Sequence, residues 1–260
     1  MTTSNPTPTP QSTELTAAVI LIGNEILSGS VKDANLTYIA ERMTEIGVRL
    51  RECRIIPDEE EVIVDTVNTL RNAHTYVFTT GGIGPTHDDI TMRCIAKAFG
   101  VEVYRDAATV EVFKKHYGDR ATDATYRMCD FPVGAKLIHC KTTPAPGFSM
   151  GNVYVMAGVP KIMQDMLDTA TPNLTKGKPI VSHSYTAFTV ESRISVAFEE
   201  IQKQYPQLEL GSYPQRIENQ PAVKLVARGA DADAVVAAGD KIRTLLTDLG
   251  AEIIAMDVRP

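Results

Sequence analysis

The chain has 260 residues, of which 43% are hydrophobic, and a formal net charge of −6. That length accommodates one large domain plus a smaller one, and no apolar run approaches membrane-spanning length. The lack of a basic block argues against general nucleic-acid binding, while a small anionic ligand needs only local donors.

Residues 1–14 are rich in Thr, Pro and Ser, without the charged and apolar regions of a signal peptide, and read as a disordered lead. Ala17-Ala18-Val19-Ile20-Leu21-Ile22 is a continuous apolar run ending at Gly23, suited to a central parallel strand. Asp33 caps a helix carrying Leu36, Ile39, Ala40, Met43 and Ile46, which Gly47 stops. Val48 to Ile56 reads as a second strand, and Pro57-Asp58 opens a helix with Val62, Ile63, Val67 and Leu70 inward. Tyr76 to Thr80 is the third strand, and Asp88 or Asp89 opens a helix closed by Gly100.

Ala107 to Cys129 looks helical and polar, with His116, Arg120 and Arg127. A strand over Ala135 to Cys140 follows, then a strand pair turning at Gly151-Asn152. Ala157-Gly158-Val159-Pro160 leads into a helix with Ile162, Met163, Met166 and Leu167. Thr171 to Pro179, with two prolines and a glycine, reads as a linker. Beyond it the order is strand, helix, strand, strand, helix and a final strand over Ala251 to Ala255, a small two-layer α+β module. The four cysteines show no C-x-x-C spacing, so reduced thiols in a cytoplasm are the default.

The stretch that carries most chemistry is Thr79-Thr80-Gly81-Gly82-Ile83-Gly84-Pro85-Thr86-His87-Asp88-Asp89-Ile90-Thr91. Glycines at a strand's carboxyl end let backbone amides approach an anion, and the next helix points its positive end at the same spot. One aspartate is enough for a cap, so the second is free to hold a cation that a phosphate shares. Neither G-x-G-x-x-G nor G-K-[ST] is present. In a parallel α/β sheet, ligands sit beyond the carboxyl strand ends, where Gly23-Asn24-Glu25 and Gly81 to Asp89 both fall.

Three blocks, Gly23 to Gly29, Thr79 to Thr91, and Ala157 to Pro160, resemble the molybdopterin-binding MoaB/Mog family, and within it the N-terminal domain of CinA-type proteins. Met156-Ala157-Gly158 stands where that family usually has Leu-Pro-Gly. The resemblance implies a three-layer α/β/α fold with a mostly parallel sheet over residues 15–172, followed by the α+β module over 180–260. It implies that Gly81, Gly82, Gly84 and Thr86 bind phosphate, with Asn24 on the opposite wall and Gly158 and Pro160 closing the pocket. Asp88, Asp89 and Glu25 are the implied catalytic residues, with Asp88 and Asp89 holding Mg²⁺ or another divalent cation. The implied partner is a pterin or a nucleotide diphosphate, in a homo-oligomer without nucleic acid or membrane. Three readings stand at this point: hydrolysis of a nucleotide diphosphate, adenylylation of molybdopterin, and binding without turnover. Replacing Asp88 or Asp89 by Asn is expected to preserve the loop while removing charge.

Overall fold

A computed structural model describes residues 14–259; all but the last residue of the Thr/Pro/Ser-rich lead lies outside them. The chain forms two compact units: the first runs to Gly177, and the second takes Lys178 onward together with the short stretch Thr44–Gly47.

The first unit begins with β1 (Thr16–Ile22), the short helix α1 (Asn24–Leu27), α2 (Asn35–Glu45) and β2 (Arg49–Ile56). It continues through α3 (Glu60–Ala73), β3 (Tyr76–Thr80), α4 (Thr91–Phe99) and β4 (Val103–Arg105). Then come α5 (Ala107–Tyr117), α6 (Asp123–Arg127), β5 (Asp130–Pro132), β6 (Lys136–Ile138), β7 (Gly147–Met150), β8 (Val153–Met156) and α7 (Pro160–Ala170). Six strands pair in the order β2-β1-β3-β8-β7-β6. The four from β2 to β8 are parallel, while β7 runs antiparallel to both neighbours.

Ala17 to Ile22 are buried on both faces of the sheet, which is why this strand reads as an unbroken apolar run. Ala18, Ile20 and Ile22 pack with Ile63, Val67 and Leu70 of α3 and with Cys94, Ile95 and Ala98 of α4. On the other side, Tyr38 and Arg42 of α2 both reach Asp168 of α7, at 2.9 Å. The expected α/β architecture is therefore present. Two features were not anticipated: β4 and β5 form a separate antiparallel pair, and Thr171–Asn173 form a 3₁₀ turn followed by buried Leu174. The start of the expected linker thus belongs to the first unit, where Thr175 N also donates to Tyr76 Oη at 2.8 Å.

The second unit comprises β9 (Val181–Phe188), α8 (Glu191–Gln204), β10 (Glu209–Ile217), β11 (Gln220–Gly229), α9 (Ala232–Asp248) and β12 (Glu252–Arg259). Its sheet is antiparallel throughout, in the order β10-β11-β9-β12. Ile194 and Phe198 of α8 and Val235, Ala238, Ile242 and Leu246 of α9 share one core with Tyr185, Val223 and Leu225 of the sheet. Gly239 of α9 sits against the buried imidazole of His183, whose Cγ lies 2.7 Å from where a Cβ would be. Alanine normally strengthens a helix by about 1 kcal/mol over glycine. Here the added methyl has no room, and overpacking a core typically costs about 1–3 kcal/mol. Gly239→Ala is therefore expected to lower the melting temperature of this unit; a rise in differential scanning calorimetry would refute the tight packing. Among the described residues, no helix is long and apolar enough to cross a membrane.

Candidate functional site at the carboxyl edge of the parallel sheet

Strands β1, β3 and β8 end side by side, and each runs into a glycine turn. Gly81 has φ of 101°, and its missing Cβ leaves space for the carbonyl oxygen of Ile22 at the end of β1. Its amide donates to Met156 O at 3.1 Å. A Cβ on Gly158 would stand 3.4 Å from Gly81 Cα, so the third turn closes onto the second. At the first turn, Gly23 N donates to Ile56 O at 3.1 Å and Asn24 N to Asp58 Oδ2 at 3.0 Å. The Glu25 carboxylate folds back over Gly23 and has no hydrogen-bond or ion-pair partner among the described residues. The structure therefore joins Gly81 with Gly158 directly, and places Asn24 and Glu25 on the turn after β1. Pro160 stands at the first position of α7, exposed, where its fixed φ suits a helix start.

The loop after β3 is shaped by its own side chains. Gly82 has φ of 68°, and a Cβ there would strike Thr91 Oγ1. Thr91 N donates to Gly82 O and Thr91 Oγ1 to Gly81 O, both at 3.0 Å. Asp89 does not cap α4, whose N-cap residue is Ile90 without a side-chain bond. The expected cap is absent because the carboxylate turns back into the loop. Its Oδ1 accepts from Gly84 N at 2.7 Å, and its Oδ2 accepts from Thr86 N at 2.8 Å and from the Thr86 hydroxyl. Gly84 is required beside it, since a Cβ would lie 2.7 Å from Oδ2.

Asp88 is more open: its Oδ1 accepts from Thr86 Oγ1 at 2.6 Å, and the residue is exposed. The Thr86 hydroxyl, followed by the residue's own amide, holds the Asp88 carboxyl below the usual aspartate range. His87 projects into solvent, its side chain 95% exposed. No group of three or more metal-ligating side chains exists among the described residues. Asp89 is occupied by loop donors, whereas Asp88 retains an oxygen without a protein donor. This donor set fits a magnesium ion that takes most of its ligands from water and phosphate, with one protein carboxylate; it does not make a closed protein cage.

The sequence reading passed over several residues that shape the site. Asp58 holds the turn after β1, as described. Asn35, buried at the start of α2, donates Nδ2 to Gly158 O at 2.8 Å, and its Oδ1 is buried without a donor. Asp33 accepts from Asn35 N and Leu36 N, at 3.1 and 3.0 Å, so the expected cap is also what presents Asn35. A polar residue that near a helix start reads in sequence as ordinary capping chemistry, which hid it. A cavity of about 110 Å³ lies against the loop, lined in part by Gly84, Thr86, Asp89, Arg93 and Arg127. Arg127 stood out in sequence only as part of a polar stretch, and Arg93 as one charge on an amphipathic helix.

Glycine turns closing on one another at the carboxyl edge of a mostly parallel sheet define an α/β domain built to receive a small ligand at its strand ends. Residues 18–176 match the family described as probable molybdopterin binding domain, and the chain belongs to that family. Residues 179–252 match the middle domain of FAD synthase. A protein of Archaeoglobus fulgidus is 29% identical over 231 residues, covering 88% of this chain and 97% of its own. A CinA-like protein of Syntrophus aciditrophicus is 35% identical over 156 residues, 57% of this chain and 37% of the longer relative. The crystal structure of the protein CinA from Thermoplasma acidophilum, described as of unknown function, superposes with a TM-score of 0.58 at 29% identity. That match covers 61% of this chain and 96% of the other. The MoaB/Mog resemblance and its CinA-like branch are thus both borne out.

Proposed function

We propose that the first unit binds a phosphate-bearing pterin or nucleotide across the ends of β1, β3 and β8, and hydrolyses a nucleotide diphosphate of the ADP-ribose or FAD kind. The observation that carries this reading is the convergence of the three glycine turns, beside which the amides of Gly82 and Ile83 have no acceptor among the described residues and so remain for an anion. The match of the second unit to the FAD synthase middle domain supports a nucleotide ligand.

In this reading Asp88 holds the divalent cation, and Asp89 holds the loop in shape. Backbone amides of the glycine loop stabilise charge developing on the phosphate oxygens. A magnesium ion bound there would neutralise phosphate charge and make its water more acidic. Glu25, with its unpartnered carboxylate, is the candidate to accept a proton from the attacking water.

Turnover of ADP-ribose and FAD, with NADH and molybdopterin alongside, with and without Mg²⁺, tests the reading. Release of AMP from ADP-ribose or FAD only when the cation is present supports hydrolysis. Transfer of AMP onto molybdopterin supports the adenylylating alternative; the family description names molybdopterin only as a ligand. Tight binding without product from any of these compounds sinks both enzymatic readings.

Asp88→Asn is expected to leave the melting temperature unchanged and to lower turnover at limiting Mg²⁺ at least about tenfold, because Mg²⁺ sites of this kind rest on one or two carboxylates. The pH dependence follows from its depressed pKa. Cation binding through Asp88 should be fully present above the ordinary aspartate value of about 3.9 and be lost only as pH falls below it. Loss of Mg²⁺ binding already between pH 6 and pH 5 (roughly one to two units above that value) would assign the cation to another group.

A further inference from the structure

The cavity beside the glycine loop has two walls that the backbone surface does not supply. Arg93 rises from α4 and Arg127 closes α6, and both line the same space as Gly84, Thr86 and Asp89. Its volume of about 110 Å³ is several times the roughly 10–15 Å³ that one water requires. The remaining lining includes Phe131, Phe148 and Pro146, so the floor is apolar.

Charge accounting separates the groups on these walls. Two carboxylates border the cavity, and both are engaged. Asp89 is held by the amides of Gly84 and Thr86, and Asp130 takes a forked bond from Arg105 at 2.6 and 2.9 Å. Neither Arg93 nor Arg127 forms a hydrogen bond or salt bridge among the described residues. Glu60, the acid whose pKa Arg93 helps to lower, is itself paired with Lys97. Two guanidinium groups thus border a pocket whose negative charges are already spoken for. A planar fork with five N–H donors is suited to bidentate contact with phosphoryl oxygens.

We propose that Arg93 and Arg127 form an anion-receiving subsite that takes a phosphoryl group of the ligand whose other end lies on the glycine loop. The inference rests on the phosphate-binding reading above but adds two residues that reading does not use. Because both side chains are exposed, they can be changed without opening the core.

The test is calorimetric titration of the full chain with inorganic pyrophosphate, and with ADP-ribose as a second probe, at low and high salt. Arg93→Gln and Arg127→Gln are each expected to weaken pyrophosphate binding about tenfold, the effect of one lost charge-assisted hydrogen bond. The double variant should lose more and show a flatter salt dependence. Arg127→Lys should restore part of the salt dependence and little of the affinity, since the charge returns without the fork. Circular dichroism on each variant controls for folding. Unaltered affinity in both glutamine variants, with the wild-type chain binding either probe, overturns this subsite and leaves the phosphate-binding reading standing. Failure of the wild-type chain to bind either probe overturns both.

Discussion

Gly81→Ala is expected to lower the melting temperature of the first unit by roughly 4–20 °C, at about 2–4 °C per kcal/mol for a domain of this size. Two effects add. A non-glycine residue in a left-handed conformation costs about 1–2 kcal/mol, and at 81 the new Cβ meets a main-chain carbonyl that cannot rotate away. Forcing such a contact in a packed interior costs a further 1–3 kcal/mol or so. Gly100 makes the proper control, because it also has positive φ, 66°, yet has no atom within 4 Å of the Cβ position. Gly100→Ala should therefore show the conformational effect alone. Equal losses for the two variants would mean that the approach of β1 to the turn is not a rigid feature of the fold.

The second large effect concerns Asp89. Asp89→Ala removes the acceptor from Gly84 N, Thr86 N and the Thr86 hydroxyl together. At about 1.5–3 kcal/mol for a hydrogen bond to a charged group, partly replaced by water, the loss in ligand affinity should be roughly 100-fold. Asp89→Asn is the sharper case. The sequence suggests an isosteric change that keeps the loop's shape. The geometry says otherwise, since both carboxylate oxygens face donors, and an amide must turn its NH₂ toward one of them. Hydrogen exchange of the 84 and 86 amides should accelerate in both variants, and pyrophosphate binding should fall in both. Wild-type exchange and affinity in Asp89→Asn would remove Asp89 as the organiser of the loop. Asp88→Asn should leave that exchange untouched, which separates the two adjacent aspartates by role.

Much of the fold was legible because its signals are local. The run from Ala17 to Ile22 is apolar at every position, as a strand covered on both faces must be. Gly100 closes α4 in a left-handed conformation, as expected of a glycine after a helical pattern. Helix α8 follows its apolar spacing from Glu191 to Gln204. What sequence could not settle was direction. An aspartate before a helix can bond forward to the helix amides or backward into the loop, and spacing does not distinguish these. Asp89 goes backward because three loop donors, three to five residues before it, turn toward it, and the loop's folded shape rather than its spacing decides that. The same limit hid Asn35 and the two arginines, whose relevance comes from what distant segments bring beside them. Strands β4 and β5, of three residues each, are too short to give a period.

The convergence of Ile22, Gly81 and Gly158 also has a kinetic side. Each of these contacts joins segments separated by at least one complete strand–helix–strand crossover, so none can form by local chain closure. Parallel pairings of this kind close slowly relative to helices. During refolding from denaturant, helical circular dichroism should therefore recover ahead of the capacity to bind pyrophosphate. Ligand binding then reports the last step of assembly, and a chain that has regained its helices without that capacity is an intermediate still missing its sheet edge.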